Sequence, residues 1–166
     1  MFMMERSVAG ALLMLCMAVL TSGTAHASQC TTSGSITITA TTLAFGIYDP
    51  TNITPTPSTT TITVRCTNTG RTLPPLSLAI SAGDSGSFTP TRYMKGSAAG
   101  TVLNYQLYDN STDSTVWGDG TGGTGTLSGG NGASYTQAFT GYGQIPVSQY
   151  TTPGSYTDTL TVTLTY

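Results

Sequence analysis

The chain has 166 residues and few charges: five Lys and Arg against seven Asp and Glu, 7% of the residues, for a formal net charge of −2. With no cluster of like charge, that scarcity excludes a nucleic-acid groove and leaves no basic amphipathic helix for a membrane surface. One histidine and three cysteines narrow catalytic and metal chemistry from the outset.

Residues 1–27 read as an export signal. Arg6 supplies a positive start, Val8 to Leu20 is an apolar run too short to span a bilayer comfortably, and Ala25-His26-Ala27 is the small-x-small pattern a signal peptidase accepts. Cleavage is expected before Ser28, leaving residues 28–166 as one domain able to bury a core and with no membrane insertion of its own. Leu15 is too bulky for Cys16 to read as a lipid-attachment site. Arg65, Arg71, Arg92 and Lys95 then stand against Asp49, Asp84, Asp109, Asp113, Asp119 and Asp158. Of the cysteines Cys30 and Cys66 remain, and in an exported protein a lone pair is most simply a disulfide. It would close a loop of about 35 residues and stabilise by roughly 3–4 kcal/mol through chain entropy. Metal binding by the pair is the weaker alternative, because His26 leaves with the leader and two thiolates alone make a poor zinc site.

The remainder reads as β throughout, with Thr, Ser and Gly dominant and short alternating runs between Gly, Pro, Asn and Asp. Ser35 to Thr39 carries Ile36 and Ile38 on one face, and Leu43-Ala44-Phe45 follows at once. Thr51 to Ser58 holds Pro55 and Pro57, so it reads as a connection or an edge. Thr60 to Cys66 places Ile62, Val64 and Cys66 on one face, pointing the cysteine inward. Leu76 to Ile80, Tyr93, Val102 to Tyr108, Tyr135 to Phe139 and Gln144 to Val147 continue the series. Asp119 to Gly132 is too rich in Gly for a strand and reads as a long loop or loosely twisted hairpin. The final run, Tyr156 to Tyr166, alternates without a break. About seven short strands at this spacing predict an antiparallel β-sandwich.

Catalytic patterns are missing. Without a histidine in residues 28–166, Ser-His and Cys-His pairs are impossible. The six Asp residues sit in turn-like contexts, unlike the facing carboxyls of a glycosidase. Asp109-Asn110-Ser111-Thr112-Asp113 and Asp119-Gly120 lack the spacing to a bidentate Glu that a calcium loop needs, and Asp and Asn favour turns for backbone reasons. Neither an enzyme nor a cofactor is expected. Trp117 before Gly118-Asp119-Gly120 reads as an apolar anchor at a tight turn, with a sugar-stacking face as the alternative. Phe45 and Tyr48 read as aromatics around a turn at Gly46, and Pro153-Gly154 as the turn into the last strand.

Several of these features stand in a recognisable order. They are Cys30, Phe45-Gly46-Ile47-Tyr48-Asp49-Pro50, a Thr-rich strand ending at Cys66, and Leu103-Asn104-Tyr105-Gln106-Leu107-Tyr108. Trp117-Gly118-Asp119-Gly120, Tyr142-Gly143-Gln144-Ile145-Pro146, Pro153-Gly154-Ser155-Tyr156-Thr157-Asp158 and the closing strand complete it. This order resembles the spore coat protein U family, which includes the subunits of archaic chaperone-usher pili. The resemblance implies an immunoglobulin-like sandwich that lacks its last strand, filled first by a periplasmic chaperone and then by a neighbouring pilus subunit at the outer-membrane usher. Backbone hydrogen bonds and alternate apolar side chains would drive such strand addition. By the same resemblance the C-terminal strand walls the groove, with Leu160, Val162, Leu164 and Tyr166 lining it or the core beneath it. The implied location is the periplasm in transit, then a surface pilus or coat, in adhesion or biofilm.

In one respect the chain departs from that pattern. A strand-donating subunit carries an alternating apolar extension before its first cysteine, whereas only Ser28 and Gln29 precede Cys30 after cleavage. The resulting expectation is an acceptor, tip-like subunit. A self-contained coat protein, a donor strand drawn from Ile36-Thr37-Ile38, and a carbohydrate-binding module are the alternatives.

Overall fold

The computed structural model describes residues 11–17, 23–30, 34–67, 75–130 and 134–165. Its strands are β1 (Ala11–Met17), β2 (Gly23–Cys30), β3 (Gly34–Ala40), β4 (Thr56–Thr67) and β5 (Leu76–Ile80), followed by β6 (Arg92–Gly96), β7 (Val102–Tyr108), β8 (Leu127–Gly129), β9 (Tyr135–Ile145) and β10 (Tyr156–Thr165). A single 3-10 turn at Gly83–Ser85 interrupts this all-β pattern among the described residues. All strand pairings are antiparallel.

The strands fold into an immunoglobulin-like sandwich. One layer runs β3-β4-β9-β7, and the other holds β10, β5 and β8, with β6 hydrogen-bonded to both β7 and β10. In chain order this reproduces the A-B-E-D sheet of an immunoglobulin domain facing F and C, with β3 as A, β4 as B, β7 as D, β9 as E, β10 as F and β5 as C. Alternation builds the core: β4 buries Thr60, Ile62, Val64 and Cys66, while β10 buries Asp158, Leu160, Val162 and Leu164. Ile36, Ile38, Leu76, Leu78, Ile80, Leu107 and Ile145 join them in one apolar cluster drawn from both layers.

The structure departs from the sequence pattern in five places. Tyr135 to Phe139 and Gln144-Ile145 are not two strands but parts of β9, eleven residues long and paired with β4 along its whole length, and Pro146 and Val147 lie beyond its end. Gly141 and Gly143 look like breaks, yet a Cβ on Gly141 would lie 2.6 Å from the Trp117 ring, and one on Gly143 would lie 2.9 Å from Leu43 and Phe45. These glycines admit large neighbours onto the strand instead of ending it. Leu43-Ala44-Phe45 lies outside any strand, although Leu43 is buried. Within the Pro-rich stretch, Thr56 to Ser58 begin β4, and Pro57 opposes Gln144. The β3 ladder on β4 stops at Ile62, so the missing N–H of Pro57 costs no bond to β3. The Gly-rich segment after Asp119 is mostly loop but supplies β8, which pairs with β5. Residues 11–17 and 23–27, expected to belong to the leader, stand in β1 and β2.

Candidate functional site

The last strand has two edges with different neighbours. On one, Val162 to Thr165 pair with Ile80 to Ser77 of β5, and Tyr156 and Thr157 pair with Gly96 and Lys95 of β6. Between these ladders Ser81 N donates to Thr161 O at 2.8 Å, and Thr161 N donates to Ser81 Oγ at 2.9 Å. On the other edge β1 pairs with β10 from Ala11↔Leu164 through Leu13↔Val162 and Leu15↔Leu160 to Met17↔Asp158. Because β1 and β5 both pair with Val162 to Leu164, they must lie on opposite edges. β1 therefore stands beside F where an immunoglobulin domain carries its seventh strand, G.

The β5–β6 edge is held by a buried polar network. The chain leaves the sheet after Ile80 and returns at Arg92, whose guanidinium is fully buried. It donates to Gln106 Oε1 at 2.5 Å and to Trp117 O at 2.6 Å, with longer bonds of 3.3 Å to Ser81 O, and stacks over the Phe88 ring at 5.0 Å. Gln106 Nε2 donates in turn to Phe88 O at 2.7 Å. Burial pulls the Arg92 pKa down to about 10 against the opposing pull of the Tyr105 and Asp158 charges. Asp158 accepts from Tyr105 Oη at 2.5 Å, from Asp84 N at 2.9 Å and from Thr159 N at 2.7 Å. Burial raises its pKa even so, with these bonds pulling the other way, and burial likewise raises the Tyr105 phenol. Gly83 has φ +68°, and a Cβ there would lie 2.3 Å from an Asp158 oxygen, so the carboxylate fits only beside glycine.

The other residues singled out in the sequence have structural surroundings. Leu160, Val162 and Leu164 are wholly buried, whereas Tyr166 lies outside the described residues. Cys30 ends β2 opposite Gly34 and the buried Cys66 lies in β4 opposite Ile36, so both cysteines flank the same end of β3. Phe45 meets the buried Tyr105 edge to face at 5.9 Å. Gly46 turns the chain with φ +72°, and Tyr48 Oη donates to Pro146 O at 3.0 Å and accepts from Gln149 N at 2.9 Å. Trp117 is buried, with its indole N–H donating to Leu78 O at 2.8 Å, which leaves no ring face for a sugar. Gly118 N donates to Gly125 O at 2.8 Å, tying the loop behind Trp117. Asp119 is exposed and caps its own turn through Thr121 N and Oγ1 at 2.9 and 2.7 Å, bonds that lower its pKa. Gly154 stands in the loop before β10, and Tyr156 Oη bonds Thr151 at 2.9 Å and Thr152 O in that same loop.

Sequence reasoning passed over Arg92, Gln106, Ser81 and Gly83. The one signal available was parity, since Arg92 alternates with Met94 and so takes an inward position on β6. Among the described residues no group of three or more His, Cys, Asp or Glu could hold a metal ion. No helix there is long and apolar enough to cross a membrane.

A sequence profile of the Spore Coat Protein U domain matches residues 16–163, nearly the whole chain. The chain belongs to the Spore Coat Protein U family. Spore coat U domains are structural subunits of surface coats and pili. No curated protein matches this chain. In this spore coat U domain the distinctive feature is the outer edge of β10.

Proposed function

We propose that this protein is an exported, non-enzymatic structural or adhesive subunit of a surface pilus or coat, and that the outer edge of β10 is its assembly site. The observation that carries this reading is the origin of β1. The strand in the G position comes from Ala11–Met17, inside the segment read as the export leader. Cleavage before Ser28 removes it and leaves β10 with an unpaired row of backbone groups above Leu160, Val162 and Leu164. Such an edge is a template for strand addition and an aggregation hazard until filled. A periplasmic chaperone fills it first, and at the outer-membrane usher a neighbouring subunit replaces the chaperone. With only Ser28 and Gln29 ahead of Cys30, the protein acts as an acceptor, tip-like subunit. A Cys30–Cys66 disulfide holds the start of β3 against β4 and keeps that segment from serving as a donor.

The test is export of the chain into a periplasm with and without a matching pilus chaperone, followed by size-exclusion chromatography and a thermal melt. Folded mature protein is expected only as a complex with the chaperone. A stable monomer made alone would mean that the mature chain completes its own sheet, and would leave a self-contained coat protein.

A further inference from the structure

Among the described residues, the exposed apolar side chains are concentrated at one end of the sandwich. Among the described residues the large hydrophobic side chains left exposed are Ile47 at 97%, Ile53 at 93%, Tyr150 at 77% and Val102 at 43%. They lie in three connections that the fold brings together: residues 41–55 between β3 and β4, residues 97–101 with the start of β7, and residues 146–155 between β9 and β10. The registers Thr56↔Ile145, Tyr156↔Gly96 and Lys95↔Val102 put all three at the same end of the sandwich. Hydrogen bonds then lock them to each other. Tyr48 joins the first to Pro146 and Gln149 of the third, Gln149 Oε1 accepts from Asn104 N at 2.8 Å, and Ser97 N donates to Ser155 O at 2.9 Å. Val102, Asn104, Gln149 and Tyr150 share the wall of a shallow cleft of about 480 Å³. An exposed apolar patch with polar surroundings marks a contact surface.

Strand direction identifies what covers it. β1 runs antiparallel to β10, from Ala11 opposite Leu164 to Met17 opposite Asp158. A strand in that position therefore finishes at the end where β10 begins, which is the end that carries Ile47, Ile53, Val102 and Tyr150. If a neighbouring subunit supplies the strand in the same direction, the residues that follow it in the donor chain emerge there. We propose that the apolar end formed by Ile47, Ile53, Val102 and Tyr150 seats the folded body of the strand-donating subunit. This rests on the assembly reading above and adds a second contact: the strand fills the β10 edge while the donor's body caps the loops.

Site-specific photo-crosslinking in assembled surface structures tests this, with p-benzoylphenylalanine replacing Thr163 beside the β10 edge or, separately, Ile47 or Tyr150. Mass spectrometry is expected to place all three adducts on one other polypeptide. The Ile47 and Tyr150 adducts should fall on residues C-terminal to the segment captured at Thr163. Capture of a foreign strand at Thr163, with no adduct or a different protein at Ile47 and Tyr150, overturns the second contact and leaves the assembly reading intact. No foreign strand at Thr163 overturns both. In parallel, a variant carrying Ile47→Ser, Ile53→Ser and Tyr150→Ser should keep the melting temperature of the chaperone-bound subunit. It should also shorten the lifetime of assembled pairs by about tenfold or more, as loss of central apolar anchors does at other interfaces. An unchanged lifetime overturns the proposal.

Discussion

The two edges of β10 are built on opposite principles. Toward β5 and β6 the strand is fastened by side chains from distant positions: Arg92 and Gln106 grip the excursion between the two strands, and Asp158 accepts from Tyr105 and from the backbone of that excursion. Toward β1 it has only a backbone ladder, an outer seam opposed to residues read as a removable leader. A buried polar network is specific because each partner must be present and correctly placed, or a desolvated group is left unpaired. An edge held by backbone hydrogen bonds suits any strand of matching alternation. One edge thus settles where β10 lies in its own domain, and the other is the edge we propose takes a partner strand.

Substitutions can break this comparison, beginning with the residue both edges share. Val162→Asp places a charge in the core between Ile80 and the outer seam, at a cost of about 5 kcal/mol. Recovery of normal amounts of folded protein after export would contradict the burial of that face. Cys30→Ser should cost roughly 3–4 kcal/mol by removing the proposed disulfide. It acts at β3, away from either edge of β10, so a lower melting temperature with unchanged strand capture is expected, and an unchanged melt under oxidising conditions would count against the bridge.

Arg92→Met strikes the fastened edge alone. It strips the donor from Gln106 Oε1, Ser81 O and Trp117 O, and the loss expected in chemical denaturation is about 2–3 kcal/mol. Equal stability of variant and parent would mean that apolar packing, not the network, holds β5 and β6 in place.

The smallest effect is expected where the network meets the outer seam. Burial raises the pKa of Asp158 above its ordinary value of 3.8, so the folded state holds this proton more tightly than the unfolded chain. The associated stability is complete below about 3.8. It declines as pH rises through the raised folded value. Asp49 and Asp119, whose pKa values are lowered by bonds to Thr51 and Thr121, slope in the opposite sense, so the difference between the parent and Asp158→Asn isolates the effect. Melting temperatures across that window should fall less steeply with pH for Asp158→Asn than for the parent. Parallel curves would remove Asp158 from the explanation.

Local pattern reached far in this molecule. Alternation in residues 35–39, 60–66, 76–80, 102–108 and 156–166 disclosed β3, β4, β5, β7 and β10, because a half-buried strand writes its two faces into every second residue. The inward set Leu160, Val162 and Leu164 was legible for the same reason. So were the turn residues around Gly46 and Asp119, whose chemistry is local.

What the sequence alone did not determine depends on residues far apart in the chain. The continuity of β9 through Gly141 and Gly143 became visible only once Trp117, Leu43 and Phe45 were seen against them. The Arg92 network joins positions 81, 92, 106 and 117, and no spacing rule links those four. Which neighbour lies on each side of β10 was equally hidden, because alternation identifies the faces of a strand and says nothing about its edges. Faces follow from the order of side chains along one segment, whereas edges depend on which other segment brings its backbone alongside. For this protein the tertiary structure alone put β5 and β6 on one side of β10 and β1 on the other.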